Sequence, residues 1–306
     1  MKNRIAPPPL KRGDTIQIIA PGGQLNSLDR FRDGLAVLAR MGFVVRYPER
    51  LWPGHGFLAA SDAERAEELN RAFADGESAA ILALRGGYGC LRMLNGIDLD
   101  LIRKQPKMLV GFSDITILQN HLLAATGLLS LHGPVLNTLA NSTSPAIERL
   151  YHCLTGAWRN TVSFPGTEVL RGGPAVDGML AGGNLTSLCT LLGTPYDFSW
   201  KGCVIVLEDV NEPLYRLDRM LTQLALAGKF SEASAILLGD FSTGSKDGRS
   251  DIASLEWIWQ RVLDLSESSR IPVWAGLPIG HRADNLTLPI GAGVTVNSSR
   301  TSLSFF

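Results

Sequence analysis

The run Gly111-Phe112-Ser113-Asp114-Ile115-Thr116 holds the side chain best placed for nucleophilic chemistry. Ser113 lies at the end of a strand-like stretch (108–114) that a helical pattern from about Ile115 to Thr126 follows. A serine on such a turn projects its hydroxyl from the carboxyl end of a parallel sheet, where α/β enzymes bind ligands. The helix N-terminus adds backbone N–H groups that can hold a developing oxyanion. The run matches the nucleophile elbow G-x-S-x-G only in part, because Ile115 stands where the second glycine belongs. Taken alone, it reads more readily as a helix cap made by Ser113 or Asp114.

Two further residues could serve such a serine. Glu208 ends the apolar run GCVIVLEDV (202–210). A carboxylate there can be a cap partner, a metal ligand or the group that orients a catalytic histidine. No carboxylate–histidine cluster with metal spacing accompanies it, and Asp209 and Glu212 are the more natural acids for the start of the next helix. His281 lies in GLPIGHRADNLTLPIG, between two strand-like pieces. Imidazole titrates near working pH and has a second ring nitrogen for an orienting partner, as a general base requires. A lone loop histidine is more often structural. The others are His55, His121, His132 and His152, of which His132, in LHGP at a strand end, could also face a cleft.

Glycine-rich turns come next. RGGYGCLR (85–92) places Gly86, Gly87 and Gly89 after a strand, which allows close backbone approach and suits an oxyanion hole or an anion nest. It lacks the G-K-[ST] of a phosphate loop and the spacing of a dinucleotide fingerprint. AGGNLTSL (181–188) is another glycine turn before a helix; it could bind an anion, but it reads more readily as a domain-entry turn.

The elements that must position these residues alternate. Strands are expected at 15–23, 43–48, 79–87, 108–114 and 128–134. A helix is expected with Leu28, Phe31, Leu35 and Leu38 on one face, and another from a Ser61 cap to a closing Gly76. Strands alternating with helices predict a parallel sheet covered on both sides. Glycine and proline become frequent at 157–184, which places a boundary at 160/161: a nucleophile domain at 1–160, and a smaller, β-rich domain at 161–306 carrying the glutamate and the histidine. Further strands are expected at 202–210, 235–241 and in LTLPIG and GVTV. Helices are expected with Leu214, Leu217, Met220, Leu221 and Leu224 on one face, and over 254–269.

Composition narrows the classes. With 29 basic and 29 acidic residues there is no net charge to attract nucleic acid. No apolar stretch reaches the ~20 residues of a membrane helix. The run MKNRIAPPPLKRGD has three prolines where a signal peptide would carry its apolar core, so a cytoplasmic location is expected. Cys90, Cys153, Cys189 and Cys203 are scattered, without a CxxC pair, and read as small buried residues rather than disulfide or zinc ligands.

In chain order, IIAPGG, RGGYG, GFSDIT, LHGP, AGGNL, VLEDVNEPLYRLDRML and GLPIGHRADNLTLPIGA resemble the LD-carboxypeptidase family, the muramoyltetrapeptide carboxypeptidases and their microcin-immunity relatives. Any one piece is weak; the ordered set is specific and spans nearly the whole chain. The resemblance implies a flavodoxin-like N-terminal domain, a C-terminal domain of swivelling β-barrel character, and a site between them. It implies a triad of Ser113, Glu208 and His281, with an oxyanion hole from the backbone N–H groups of Gly87 and Asp114. It also implies a homodimer without cofactor or metal that removes the terminal D-Ala from murein tetrapeptides during wall recycling. The substrate's carboxylate needs a clamp, for which Arg85, Arg216 and Arg282 are candidates by proximity to the motifs. An immunity-type hydrolase of aminoacyl or peptidyl nucleotide amides is the nearest rival; it would need an aromatic surface for the base, and none is evident beside Glu208 or His281. Two other readings are a non-catalytic anion-binding protein and a flavin-binding flavodoxin-like protein.

Overall fold

Five short apolar runs build the first sheet: β1 (Thr15–Ile19), β2 (Val44–Arg46), β3 (Ser78–Ala83), β4 (Met108–Gly111) and β5 (Ser130–His132). The computed structural model describes residues 4–164, 166–242 and 252–306, so the first three residues of the N-terminal run lie outside the described residues. The strands are parallel in the order β2-β1-β3-β4-β5, the flavodoxin-like order. β4 is buried throughout and β3 nearly so, as expected for parallel strands with helices on both faces.

The helices of this unit are α1 (Leu28–Arg40), α2 (Asp62–Ala74), α3 (Cys90–Met93), α4 (Leu99–Lys104), α5 (Ile115–Thr126), α6 (Leu136–Leu139) and α7 (Ser144–Leu154). The α2 N-terminus is a capping box: Ser61 accepts from the Glu64 N–H, and Glu64 accepts from the Ser61 N–H at 3.0 Å. The helix closes at Asp75, one residue before the expected Gly76. In α1 the buried face is Phe31, Gly34, Val37 and Leu38, and Leu28 is exposed rather than inward. The close packing of Gly34 on the Leu136 carbonyl of α6 sets that face.

The second unit holds β6 (Thr161–Val162), β7 (Glu168–Arg171), β8 (Val176–Asn184), β9 (Cys203–Asp209), β10 (Ala235–Phe241), β11 (Val273–Ala275), β13 (Gly293–Asn297) and β14 (Ser302–Phe305). Their order is β6-β14-β13-β8-β9-β10-β11-β7. The central β8-β9-β10-β11 strands are parallel and the flanking pairs antiparallel. Its helices are α8 (Leu185–Leu191), α9 (Leu214–Leu226), α10 (Lys229–Glu232) and α11 (Ile252–Leu265). This curled, mixed sheet is the β-rich, swivelling-barrel-like partner of the parallel sheet. On α9 the buried face is Leu217, Leu221 and Leu224, with Leu214 and Met220 half-buried.

The two units are not consecutive pieces of chain. The first comprises 1–158 and 283–291, the second 159–282 and 292–306. Within 283–291 lies β12 (Leu288–Ile290), which runs antiparallel to β5 at the edge of the first sheet, Leu288 opposite His132. A division at 160/161 contains no such return. Among the described residues no helix is long and apolar enough to cross a membrane. All four cysteines are buried and free.

Candidate active site

Ser113 sits on a sharp turn between β4 and α5, with φ 63°. A non-glycine residue in the left-handed region costs about 1–3 kcal/mol, and such strain clusters at functional sites. From Lys107 to Leu123 every residue is buried except Ser113. Ser113 is thus the one residue of this stretch that is partly exposed, and it is held in a strained conformation. The departure from the elbow pattern has a packing reason. A Cβ on Gly111 would lie 2.8 Å from Ile115 Cγ2, so a bare Gly111 makes room for the larger residue at 115.

Neighbouring loops close on this turn. A Cβ on Gly86 would lie 2.7 Å from Ser113 Cβ and 2.8 Å from its Oγ, so only glycine fits beside the serine. Gly86 also accepts a hydrogen bond from the Gly23 N–H at 2.9 Å. Asp114 occupies the N-cap position of α5 yet makes no side-chain cap bond. Its Oδ2 accepts instead from the Cys90 N–H at 2.8 Å. Burial raises its pKa, against the opposing effects of Cys90 and the Arg65 charge. Asp114 is thus tied across to the glycine-rich turn rather than capping α5.

In the second unit Glu208 and His281, 73 residues apart in the chain, are in contact. The Glu208 Oε2 to His281 Nδ1 distance is 2.8 Å, and Glu208 is fully buried. Gly280 (φ 112°) makes the contact possible, since a Cβ there would lie 2.8 Å from that oxygen. Burial disfavours the imidazolium, but Glu208, with further help from Asp209 and Asp240, outweighs it and holds the His281 pKa above its ordinary value. Glu208 thus has a histidine side chain as a hydrogen-bond partner.

Asp209 does not start α9. It is buried and accepts from Asn184 Nδ2 (3.2 Å), from the Thr186 N–H and Oγ1 (2.8 Å each) and from the Val210 N–H (2.8 Å). It therefore serves the N-terminus of α8. Burial and then the adjacent Glu208 charge push its carboxyl up to about 6. Gly182 and Gly183 belong to β8 rather than to a turn. Both have positive φ, and Gly182 packs directly on the Val206 carbonyl of β9. That close pairing sets Asn184 opposite Glu208.

Comparison with known proteins bears on these features together. The family model for the LD-carboxypeptidase N-terminal domain matches residues 16–133, and that for the C-terminal domain matches 177–296. The "Probable murein peptide carboxypeptidase" of Bacillus subtilis is 35% identical over 299 residues, 96% of this chain and 92% of that protein. The chain belongs to the LD-carboxypeptidase family. Among solved structures, a muramoyltetrapeptide carboxypeptidase from Oxalobacter formigenes is 31% identical, with TM-score 0.78, over 95% of this chain and 97% of that one. An MccF-like protein from Bacillus anthracis is 26% identical, with TM-score 0.88, over 99% of each chain.

Gly87 is exposed, with φ 99°, beside Gly23. Arg85 is half-buried, its Nη1 donates to the Gln24 carbonyl at 3.3 Å, and burial lowers its pKa. Arg216 is exposed on the first turn of α9, 3.6 Å from Glu212. Arg282 is exposed. His132 is not at a cleft: it is fully buried in β5, edge-on to Phe112 at 6.0 Å. Arg65 was not anticipated. It lies in the buried stripe of α2 with Ala66, Leu69, Ala72 and Phe73, and an arginine in an apolar stripe is the signal that could have revealed it.

Proposed function

We propose that this member of the LD-carboxypeptidase family is a serine peptidase that removes the terminal D-Ala from murein tetrapeptides. Ser113 is the nucleophile, His281 the general base and Glu208 its orienting partner. The observation that carries the reading is the buried Glu208 bonded to His281 Nδ1. A carboxylate there fixes one tautomer, leaving Nε2 to accept a proton, and stabilises the imidazolium that results. The strained, solvent-reaching Ser113 supports the other half of the assignment.

Acylation needs two proton transfers, and deacylation two more. Ser113 Oγ attacks the carbonyl carbon of the amide joining the L-centre of meso-diaminopimelate to D-Ala, and His281 takes the hydroxyl proton. The tetrahedral oxyanion is held by the N–H groups of Gly87 and Asp114. Collapse breaks the C–N bond, and His281 returns the proton to the departing D-Ala amine. Water then enters by the same route in reverse roles and releases the tripeptide. Arg85, Arg216 or Arg282 pairs with the substrate's terminal carboxylate. The setting is the cytoplasm, in wall-peptide recycling, and the working form is a homodimer.

A second reading is favoured by one observation. Phe57 and Tyr88, both exposed, lie 5.6 Å apart with planes tilted by 55°, and Tyr88 sits between Gly87 and Gly89. Such a pair could stack a nucleobase, which an immunity-type amide hydrolase needs. The deciding experiment offers the protein a murein tetrapeptide and an aminoacyl sulfamoyl adenylate and follows both by mass spectrometry. Loss of one alanine from the tetrapeptide, faster than cleavage of the adenylate, is expected. The reverse order would replace the peptidase reading.

A further inference from the structure

We propose that the Arg65 guanidinium and the Asp114 carboxylate are positioning residues that grip a single peptide group, Gly89–Cys90, and so hold the oxyanion-binding turn in register with the nucleophile. The proposal rests on the serine mechanism above. The carbonyl of this peptide accepts from Arg65 Nη1 at 2.9 Å, and its N–H donates to Asp114 Oδ2 at 2.8 Å. A cation and an anion therefore polarise one amide from opposite sides, and charge-assisted bonds of this kind are about twice as strong as neutral ones.

The turn needs an external hold. Gly87 and Gly89 have φ of 99° and 123°, conformations that glycine adopts at low cost but does not itself fix. Tyr88, the one side chain between them, is exposed. Arg65 and Asp114 are 1% and 6% exposed, and buried charges persist only where partners offset their desolvation. Arg65 has several: besides Gly89 it donates to the Pro21 carbonyl, to Asp62 and to the Ala60 carbonyl at 3.3 Å. Pro21 opens the loop whose Gly23 N–H bonds the Gly86 carbonyl. The turn is thereby held at Gly86 and at Gly89, on either side of Gly87.

Asp114 connects the two halves of the proposed oxyanion hole. Its side chain fixes the turn that carries the Gly87 N–H, while its own N–H is the other donor. An oxyanion needs both donors at once, and a displacement of about 1 Å can cost about 10²-fold in rate. Arg65 and the Asp114 side chain touch no substrate in this account, so their effect falls on turnover rather than on binding.

The test compares Asp114→Ala, Asp114→Asn, Arg65→Lys and Ser113→Ala on a murein tetrapeptide, with melting temperatures for each. Asp114→Ala is expected to lower kcat about 10²-fold with KM within about twofold. Asp114→Asn, whose amide oxygen can still accept from the Cys90 N–H, is expected to recover at least about tenfold of that loss. Should Asp114→Ala not fold, Arg65→Lys takes its place, and kcat is expected to fall about tenfold or more with KM unchanged. Wild-type kcat in the folded Ala or Lys variant, a loss lying wholly in KM, or an Asn variant as slow as Ala would overturn the clamp. Wild-type turnover in Ser113→Ala would instead overturn the serine mechanism beneath it.

Discussion

At the scale of the residue, the Glu208–His281 contact sets the pH at which the proposed base would work. A base must be neutral, so kcat/KM rises as pH passes upward through the His281 pKa. Because Glu208 outweighs burial and raises that pKa, the acid limb of the wild-type profile should lie above the ordinary histidine value. Glu208→Gln removes the charge but keeps the size. Burial then dominates, and the limb of the residual activity should shift to lower pH. Turnover should fall about 10³- to 10⁴-fold, as when a tautomer-fixing carboxylate becomes an amide in a triad. A pH–rate series on both proteins checks this, and an unshifted limb would remove Glu208 from the mechanism.

At the scale of the element, glycines decide how closely the site's pieces approach. Gly280→Ala puts a Cβ 2.8 Å from the Glu208 oxygen at φ 112°. It should cost about 1–3 kcal/mol in denaturant unfolding and displace the histidine, lowering turnover. Gly76→Ala is the contrasting case: nothing lies within 4 Å of its Cβ, and its φ is not positive. It should leave activity intact and stabilise by about 0.4–1 kcal/mol through the unfolded chain. The same contrast explains what the sequence could reveal. The Ser61–Glu64 capping box and the apolar run of β10 are local signals, and both elements form at or near their expected bounds. Gly182 and Gly183 look like a turn because glycine favours turns, but both lie in β8, and Gly182 lets that strand press against β9, a reason that lies in another strand. Asp209 looks like a start for α9 because it lies shortly before that helix, yet it bonds α8, whose approach is tertiary. Arg65 stands in an apolar stripe for the sake of carbonyls far away in the chain.

At the scale of the whole molecule, family order along the chain carried what single motifs could not. GFSDIT alone reads better as a cap, whereas seven pieces in sequence gave both a fold and a set of site residues. The return of 283–291 to the first sheet was not legible, because a three-residue strand such as β12 is specified by the edge it joins. Assembly belongs to this scale too. Light scattering on the purified protein should give twice the chain's mass if the homodimer is the working form, and a monomer at working concentration would remove that part of the proposal.

The central claim is that Ser113 performs the chemistry. Its most direct test is release of D-Ala from a murein tetrapeptide by wild type and by Ser113→Ala, with the fold of both checked by circular dichroism. Turnover is expected in the wild type, with a loss of about 10³-fold or more in a variant that remains folded. Wild-type release of D-Ala by Ser113→Ala would contradict it.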